Sequence, residues 1–253
     1  ALALQTEDDA TIFYTSGSTG KPKGALGSHR NICSNIMASA SSAARSFLRR
    51  GEQPPAADPN APQKATLLSV PFFHATGCHA VLNPALVGGV KLVLMKKWDV
   101  VEAMTLIERE KISSAGGVPT IAWQILEHPD RAKYDLSSLE AVSYGGAPSA
   151  PELVRQIAKE FKAKPGNGWG MTETSPLSFQ SHVSDPVERR VSTVGRIQPH
   201  VQAKVIDEHG RMVPVGTPGE LCVRGYLVMR SYWEDAQQNT EAIDEAGWMH
   251  TGD

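Results

Sequence analysis

The stretch Thr15–Gly24, Thr-Ser-Gly-Ser-Thr-Gly-Lys-Pro-Lys-Gly, constrains what this chain can fold into more than any other part of it. Its three glycines allow backbone turns that side-chained residues resist. Four hydroxyls and a run of free N–H groups can converge on an anion, and Lys21 and Lys23 supply countercharge. The apolar run Thr11–Tyr14 just before it predicts a short buried strand. A strand running into a glycine-rich turn is a common seat for nucleotide phosphates in α/β proteins. A flexible Gly/Ser linker is the plainer reading, but linkers rarely have a strand on one side and Lys-Pro-Lys within them. The better-known P-loop needs a Ser or Thr after Gly-Lys; here Pro22 follows Lys21, so a metal ligand must come from elsewhere.

The length of 253 residues fits one large domain or two small ones. With 41% hydrophobic and 21% charged residues the composition is that of an ordinary soluble globular protein. A net charge of -2 gives no reason to expect nucleic acid or an anionic membrane as main partner. Cys33, Cys78 and Cys222 are odd in number and widely spaced, which points to reduced thiols, not to disulfides or a zinc site. No targeting peptide is visible, and the run Val81–Met95 is too broken to span a bilayer. The expectation is a cytoplasmic protein, with membrane association of a longer parent and a homodimer left open.

Along the chain, Ser28 is placed to cap a helix with Ile32, Ile36 and Ala40 on its apolar face. That helix should begin close behind the glycine-rich loop and lend it positive potential. The proline-rich stretch 51–63 reads as a mobile surface excursion. Ala65–Val70 and Val90–Met95 read as strands. Asp99 with Glu102, and Ser149 with Glu152, form capping boxes before amphipathic helices, and the turn 116–120 starts another helix between them. Leu139–Tyr144 is a strand that ends in Gly145-Gly146-Ala147-Pro148. The alternation predicts an α/β fold, a mostly parallel sheet covered by helices, over residues 1–190. From Val191 the period shifts towards two, with strands at Val201–Ile206 and from Gly219, so 191–253 reads as a smaller antiparallel, barrel-like β region.

Two further segments carry chemistry. In Gly168-Trp169-Gly170-Met171-Thr172-Glu173 the glutamate could ligate Mg²⁺, which takes one or two carboxylates beside phosphate oxygens and water. Thr172 could donate to a phosphate oxygen, and Trp169 offers a flat face to a purine. Taken alone, a Gly-Trp-Gly turn with a surface glutamate is the default reading. The Gly145–Pro148 segment lies at the C-terminal end of its strand, where ligands bind in open α/β sheets, and could equally be a tight strand–helix turn.

Together with Gly219–Gly225 and the closing Gly247-Trp-Met-His-Thr251-Gly252-Asp253, these segments resemble, in order, the motifs of the adenylate-forming enzymes. That family includes acyl-CoA synthetases, peptide-synthetase adenylation domains and luciferases. The resemblance covers essentially the whole chain. It implies ATP, Mg²⁺ and CoA as cofactor and co-substrates, and a reaction in which a carboxylate attacks the α-phosphate of ATP before a thiol displaces AMP. By the same resemblance the loop residues Thr15, Ser16, Gly17, Ser18, Thr19, Gly20, Lys21 and Lys23 hold the β- and γ-phosphates. Thr172 serves the α-phosphate and Glu173 the metal. Trp169 and Gly170, with Gly145, Gly146 and Ala147, flank the adenine, and Asp253 accepts from the ribose hydroxyls. The family usually has Tyr where Trp169 stands, which preserves stacking but not a contact through a phenol oxygen.

The substrate segment is read from Phe72-Phe73-His74-Ala75-Thr76-Gly77, which lacks the acid that amino-acid-activating members use to pair an ammonium. Burying that ammonium unpaired would cost several kcal/mol, so amino acids are disfavoured. The segment looks most like bacterial fatty-acyl-CoA synthetases and predicts a medium- or long-chain fatty acid, with His74, Thr76, Gly77 and Gly146 lining its pocket. His74 could gate an acyl tunnel or simply pack at a strand end. An aryl- or amino-acid-activating domain, or a module that binds ATP or an acyl-adenylate without turnover, are the alternatives. The chain stops at Asp253 without a closing element, so a fragment is expected. It would lack the family's C-terminal lysine domain and the N-terminal part of the large domain, and be nearly inactive alone.

Overall fold

The computed structural model describes residues 3–16, 21–54, 56, 58, 60–145, 150–161, 163–182 and 185–253. The elements run β1 (Asp9–Thr15), β2 (Lys23–Ser28), α1 (His29–Leu48), β3 (Ala65–Leu68), a π-helical stretch (Thr76–Leu82), α2 (Asn83–Gly88) and β4 (Lys91–Leu94). Then come α3 (Val100–Glu110), β5 (Ser114–Gly117), α4 (Pro119–Glu127), β6 (Ala141–Tyr144), α5 (Pro151–Glu160) and β7 (Lys164–Trp169). A 3₁₀ turn (Thr172–Thr174), β8 (Phe179–Gln180), α6 (Val187–Ser192) and β9 (Arg196–Ile197) follow. The chain ends with β10 (Gln202–Ile206), β11 (Glu220–Arg224), β12 (Ser231–Tyr232), α7 (Ala236–Ala242) and β13 (Met249–His250). The α/β class read from the sequence is the class found.

Two compact units make up the chain, and they interleave in sequence where a linear division at 190/191 is expected. One comprises 42–169 and 179–196; the other comprises 1–41, 170–178 and 197–253. The first is built on the sheet ordered β4-β3-β5-β6-β7-β8-β9, in which β4, β3, β5, β6 and β7 pair in parallel and β8 pairs antiparallel with β7. Its helices start where the chemistry favours a start. Asp99 accepts from the Glu102 N–H at 2.8 Å, and Pro119 and Pro151 sit at first-turn positions where a missing N–H costs nothing. Met104, Ile107, Leu153, Val154 and Ile157 are fully buried in one core with Ile112, Leu139 and Val142. Truncating any of the larger ones should cost about 2–5 kcal/mol.

The expected Ser149–Glu152 box falls at the start of α5. Its cap position is Ala150, which makes no side-chain bond, and Ser149 lies outside the described residues. The sequence reading also missed the helical turn from Thr76 to Gly88. A π-helix lacks the 3.6-residue period on which helix recognition rests.

The second unit holds two three-stranded antiparallel sheets, β1-β2-β12 and β10-β11-β13. The strand expected at Thr11–Tyr14 exists but is not buried. It forms an edge, with Ile12 41% and Tyr14 65% exposed, while β2 is the buried centre. The glycine-rich stretch is therefore the connection of a β1–β2 hairpin and not a strand-to-helix turn, since α1 begins only at His29, after β2. The sequence predicts the α1 dipole directly behind the loop, but β2 intervenes. Ser28 does cap α1. Its Oγ accepts from the Asn31 N–H at 3.3 Å, and Asn31 Oδ1 accepts from the Ser28 N–H at 2.7 Å, a reciprocal cap. The buried face of α1 is Asn31, Asn35, Ala38, Ser42 and Ser46, one position off the expected Ile32, Ile36 and Ala40 stripe. Asn31 explains the shift. Its Nδ2 donates to the Tyr226 carbonyl and, at 3.0 Å, to that of Val228, so a polar residue occupies the inner side.

Candidate active site

Register brings the first group of predicted residues together. Thr15 pairs with Lys23 across the hairpin, and Tyr232 of β12 pairs with Ala25 of β2. Directly opposed residues, and residues two apart on one strand, share a face, so Thr15, Lys23 and Tyr232 project to the same side of this sheet. The 3₁₀ turn supplies Glu173 to that side. Its carboxylate Oε1 accepts from the Tyr232 hydroxyl at 3.0 Å and from Thr15 Oγ1 at 3.3 Å. Two hydrogen bonds fix the turn, the Met229 N–H donating to the Glu173 carbonyl at 2.8 Å and Thr174 Oγ1 accepting from the Met171 N–H at 3.0 Å.

Glu173 is 5% exposed, which replaces the surface glutamate of the default reading with a buried carboxylate. Burying a charge is costly unless it is paired. Both donors use Oε1; among the described residues nothing donates to Oε2 and no cation pairs with the group. A carboxylate held through one oxygen with the other uncommitted fits a divalent cation such as Mg²⁺, and the hydroxyl-rich loop beginning at Thr15 fits the phosphates that would complete its coordination.

Lys23 lies beside Glu173 without pairing with it. Its Nζ donates to Gln238 Oε1 and rests 5.2 Å from the centre of the Tyr232 ring. Neither Tyr232 nor Gln238 is marked by a local sequence pattern; the pairing of β12 with β2 brings Tyr232 here, and Gln238 comes from α7. Burial foremost, and the Glu173 charge next, push the Tyr232 phenol well up, so it stays a proton donor across the neutral range.

The other predicted residues are placed as follows. Ser16 and Lys21 are exposed at the two sides of the loop, while Gly17, Ser18, Thr19 and Gly20 lie outside the described residues, as do Gly146 and Ala147. Thr172 is half-buried, and Ser175 N–H donates to its carbonyl at 3.3 Å. In the other unit, Trp169 ends β7 and meets Phe179 edge-on, with centroids 5.6 Å apart, and the Gly145 N–H donates to the Gly117 carbonyl at 3.2 Å. His74 is exposed and not packed at a strand end; its Nδ1 accepts from the Thr76 N–H at 3.1 Å. Gly77 is required by close approach, since a β-carbon there would lie 2.2 Å from the Pro71 carbonyl oxygen. Asp253 is exposed at the end of a segment tied down by Thr251 Oγ1 to the Leu221 carbonyl at 2.7 Å and Gly252 N–H to Glu220 Oε1 at 3.2 Å.

Glu220, Cys222 and His250 form the one group among the described residues with the spacing of a three-ligand metal site. Their polar atoms already serve one another, with His250 Nδ1 3.0 Å from Glu220 Oε2 and 3.7 Å from the Cys222 sulfur, and burial pushes the Cys222 thiol up, against metal binding. All three cysteines are free thiols. No helix among the described residues is long and apolar enough to cross a membrane.

Over 99% of its length the chain is 37% identical to the mitochondrial medium-chain acyl-CoA ligase ACSF2 of Macaca fascicularis, and it spans 39% of that relative. Its fold matches that of apo MatB from Rhodopseudomonas palustris with a TM-score of 0.83 at 25% identity, covering 100% of this chain and 46% of MatB. It likewise matches o-succinylbenzoate coenzyme A synthetase (MenE) of Bacillus subtilis, solved in complex with AMP, with a TM-score of 0.80 at 26% identity, covering 98% of this chain and 47% of MenE. The ACSF2 relatives from several vertebrates are mitochondrial, which overturns the cytoplasmic placement expected from the sequence. The family model described as AMP-binding enzyme matches residues 2–233, and the chain belongs to that family of adenylate-forming enzymes.

Proposed function

We propose that the chain is the nucleotide-binding part of an acid–thiol ligase that activates a carboxylic acid with ATP and passes the acyl group to CoA. The substrate carboxylate attacks the α-phosphorus and pyrophosphate leaves; the CoA thiol then attacks the acyl carbon of the mixed anhydride and AMP leaves. The observation that supports this most is the buried Glu173, held by Thr15 and Tyr232 through a single oxygen beside a loop of hydroxyls and lysines. Glu173 would hold Mg²⁺ there, and the cation would neutralise phosphate charge as the α-phosphate is attacked. Thr15, Ser16, Ser18, Thr19 and Lys23 would orient the β- and γ-phosphates, and Thr172 the α-phosphate. Trp169 and the Gly145–Ala147 segment would serve the adenine, and Asp253 the ribose. Such chemistry depends on positioning and charge stabilisation, which this residue set supplies.

The acid is the finer question. A medium-chain fatty acid agrees with the name of the ACSF2 relatives and with Phe72–Thr76, which holds no acidic residue to pair an ammonium. An aromatic acid is the second reading, favoured by the fold match to the o-succinylbenzoate synthetase at a TM-score of 0.80. A panel of fatty, aryl and amino acids offered to the full-length protein, with pyrophosphate release as readout, separates them.

The test of the nucleotide reading is Glu173→Gln. The amide oxygen can still accept from Thr15 and Tyr232, so the melting temperature should hold, while Mg²⁺-dependent ATP binding weakens by at least about tenfold, the loss seen even for groups one step removed from a metal. A variant with a lowered melting temperature and intact Mg²⁺ dependence assigns Glu173 to the fold instead.

A further inference from the structure

A buried carboxylate and a lysine on the same face of one small sheet would ordinarily close into an ion pair, spending on each other the two charges that a metal–triphosphate needs. Here they do not. Lys23 takes the uncharged Gln238 as its hydrogen-bond partner and lies over the Tyr232 ring, 5.2 Å from its centre, while the hydroxyl of the same tyrosine donates to Glu173 at 3.0 Å. One side chain therefore engages both charges at different places, the cation by its face and the anion by its edge.

We propose that Tyr232 is a positioning residue for the metal-binding carboxylate: its hydroxyl holds Glu173 Oε1, so that Oε2 is presented to the divalent cation, and its ring keeps Lys23 from collapsing onto Glu173. The inference rests on the nucleotide reading above and deepens it. Tyr232 is itself well placed for the task. It is 7% exposed, and its strand is locked to β2 by pairing with Ala25 and by the Asn239 side chain, whose Oδ1 accepts from the Tyr232 N–H. Thr15 alone would be a weaker holder, since its bond to the same oxygen is longer at 3.3 Å. Carboxylates that ligate metals are themselves commonly held by such neighbours.

The test uses Tyr232→Phe in the full-length protein, with calorimetric ATP binding at a series of Mg²⁺ concentrations and, with Mn²⁺ in its place, the paramagnetic signal of the bound ion. The ring remains, so Lys23 keeps its seat and metal-free ATP binding should be unchanged, while the metal concentration at half-saturation rises about tenfold. Placing 4-aminophenylalanine at position 232 restores an N–H donor on the same frame and should restore metal affinity. A Tyr232→Phe variant with wild-type half-saturation, one whose metal-free and metal-dependent binding fall together, or an aminophenylalanine variant that behaves like Phe overturns the proposal. The Glu173→Gln variant measured alongside separates the two claims. If it loses metal dependence while Tyr232→Phe does not, only the positioning role fails; if it keeps metal dependence, the metal reading fails and this inference with it.

Discussion

The carbonyl oxygen of Pro176 lies 1.5 Å from where a β-carbon on residue 170 would stand, so Gly170 is the only residue the turn can hold there. Gly170 was expected at the nucleotide on sequence grounds. Its backbone placement gives it a second duty, because this close crossing shapes the turn that presents Thr172 and Glu173.

Gly170→Ala should accordingly be among the most destabilising single substitutions in the chain, on the order of 4 kcal/mol or more, since the clash is with backbone and cannot be relieved by a rotamer change. Gly210 is the control. It has φ +76° but open space around it, so Gly210→Ala should cost only about 1–2 kcal/mol of backbone strain. Denaturant midpoints of the two variants test the contrast, and equal midpoints contradict the geometry.

Asn31 predicts a different kind of loss. It is 4% exposed and bonds the Ser28 N–H and hydroxyl through Oδ1 and the Tyr226 and Val228 carbonyls through Nδ2. Asn31→Ala leaves several buried groups without partners, at about 1–3 kcal/mol each where no water replaces the side chain. Asn31→Asp should be no better at neutral pH despite its matching shape, because a carboxylate would face two carbonyl oxygens. Thermal melts of the two variants decide it; an Asp variant more stable than the Ala variant means that the capping half of the network dominates.

Much of this was legible in the chain and some was not, for reasons that differ by element. Strands β3, β6 and β10 and helices α3 and α4 are specified locally, by apolar runs, by Asp99 and by Pro119, and lie within a few residues of where the sequence places them. The buried face of α1 was not legible, because Asn31 faces inward only on account of carbonyls nearly two hundred residues away in sequence. The interleaving of the units escaped for the same reason: β12 joins β2 across a gap that no local period records. Glu173 could be nominated from its motif. Its partner Tyr232 could not, since a tyrosine in a two-residue strand carries no signal until the pairing is known.

Stability should depend on pH through histidines in the α/β unit. Burial lowers the pKa of His79, and burial followed by the positive field of Arg49 lowers that of His182. A histidine with a depressed folded-state pKa is harder to protonate folded than unfolded. Its contribution is fully present above the unfolded value of 6.5 and is lost as pH falls below that value through the folded one. The unfolding midpoint should therefore decline as pH falls below about 6.5. His182→Gln, which cannot titrate, should flatten part of that decline and leave the part due to His79. A variant with the wild-type slope shows that His182 is not a source of it.

The last prediction concerns Lys23, which has two claims on it. In the hairpin it donates to Gln238 and sits on the Tyr232 ring; in the proposed function it must serve a triphosphate. If Gln238 is a resting partner, binding ATP requires that hydrogen bond to be given up, and its loss opposes binding. Gln238→Leu removes the competitor and should raise ATP affinity, by up to about 1 kcal/mol, the usual net value of one such bond. Lys23→Met keeps the aliphatic stem but removes the charge, so affinity should fall by about 1.5–3 kcal/mol while stability changes little. Lys21 is exposed and pairs with nothing among the described residues, so Lys21→Met should leave stability unchanged and isolates the contribution of loop charge alone. Calorimetric titration of the three variants with Mg·ATP distinguishes the cases. If Gln238→Leu weakens binding as much as Lys23→Met does, then Gln238 is not a competitor, and the observed contact is the working position of Lys23, held ready for the phosphates.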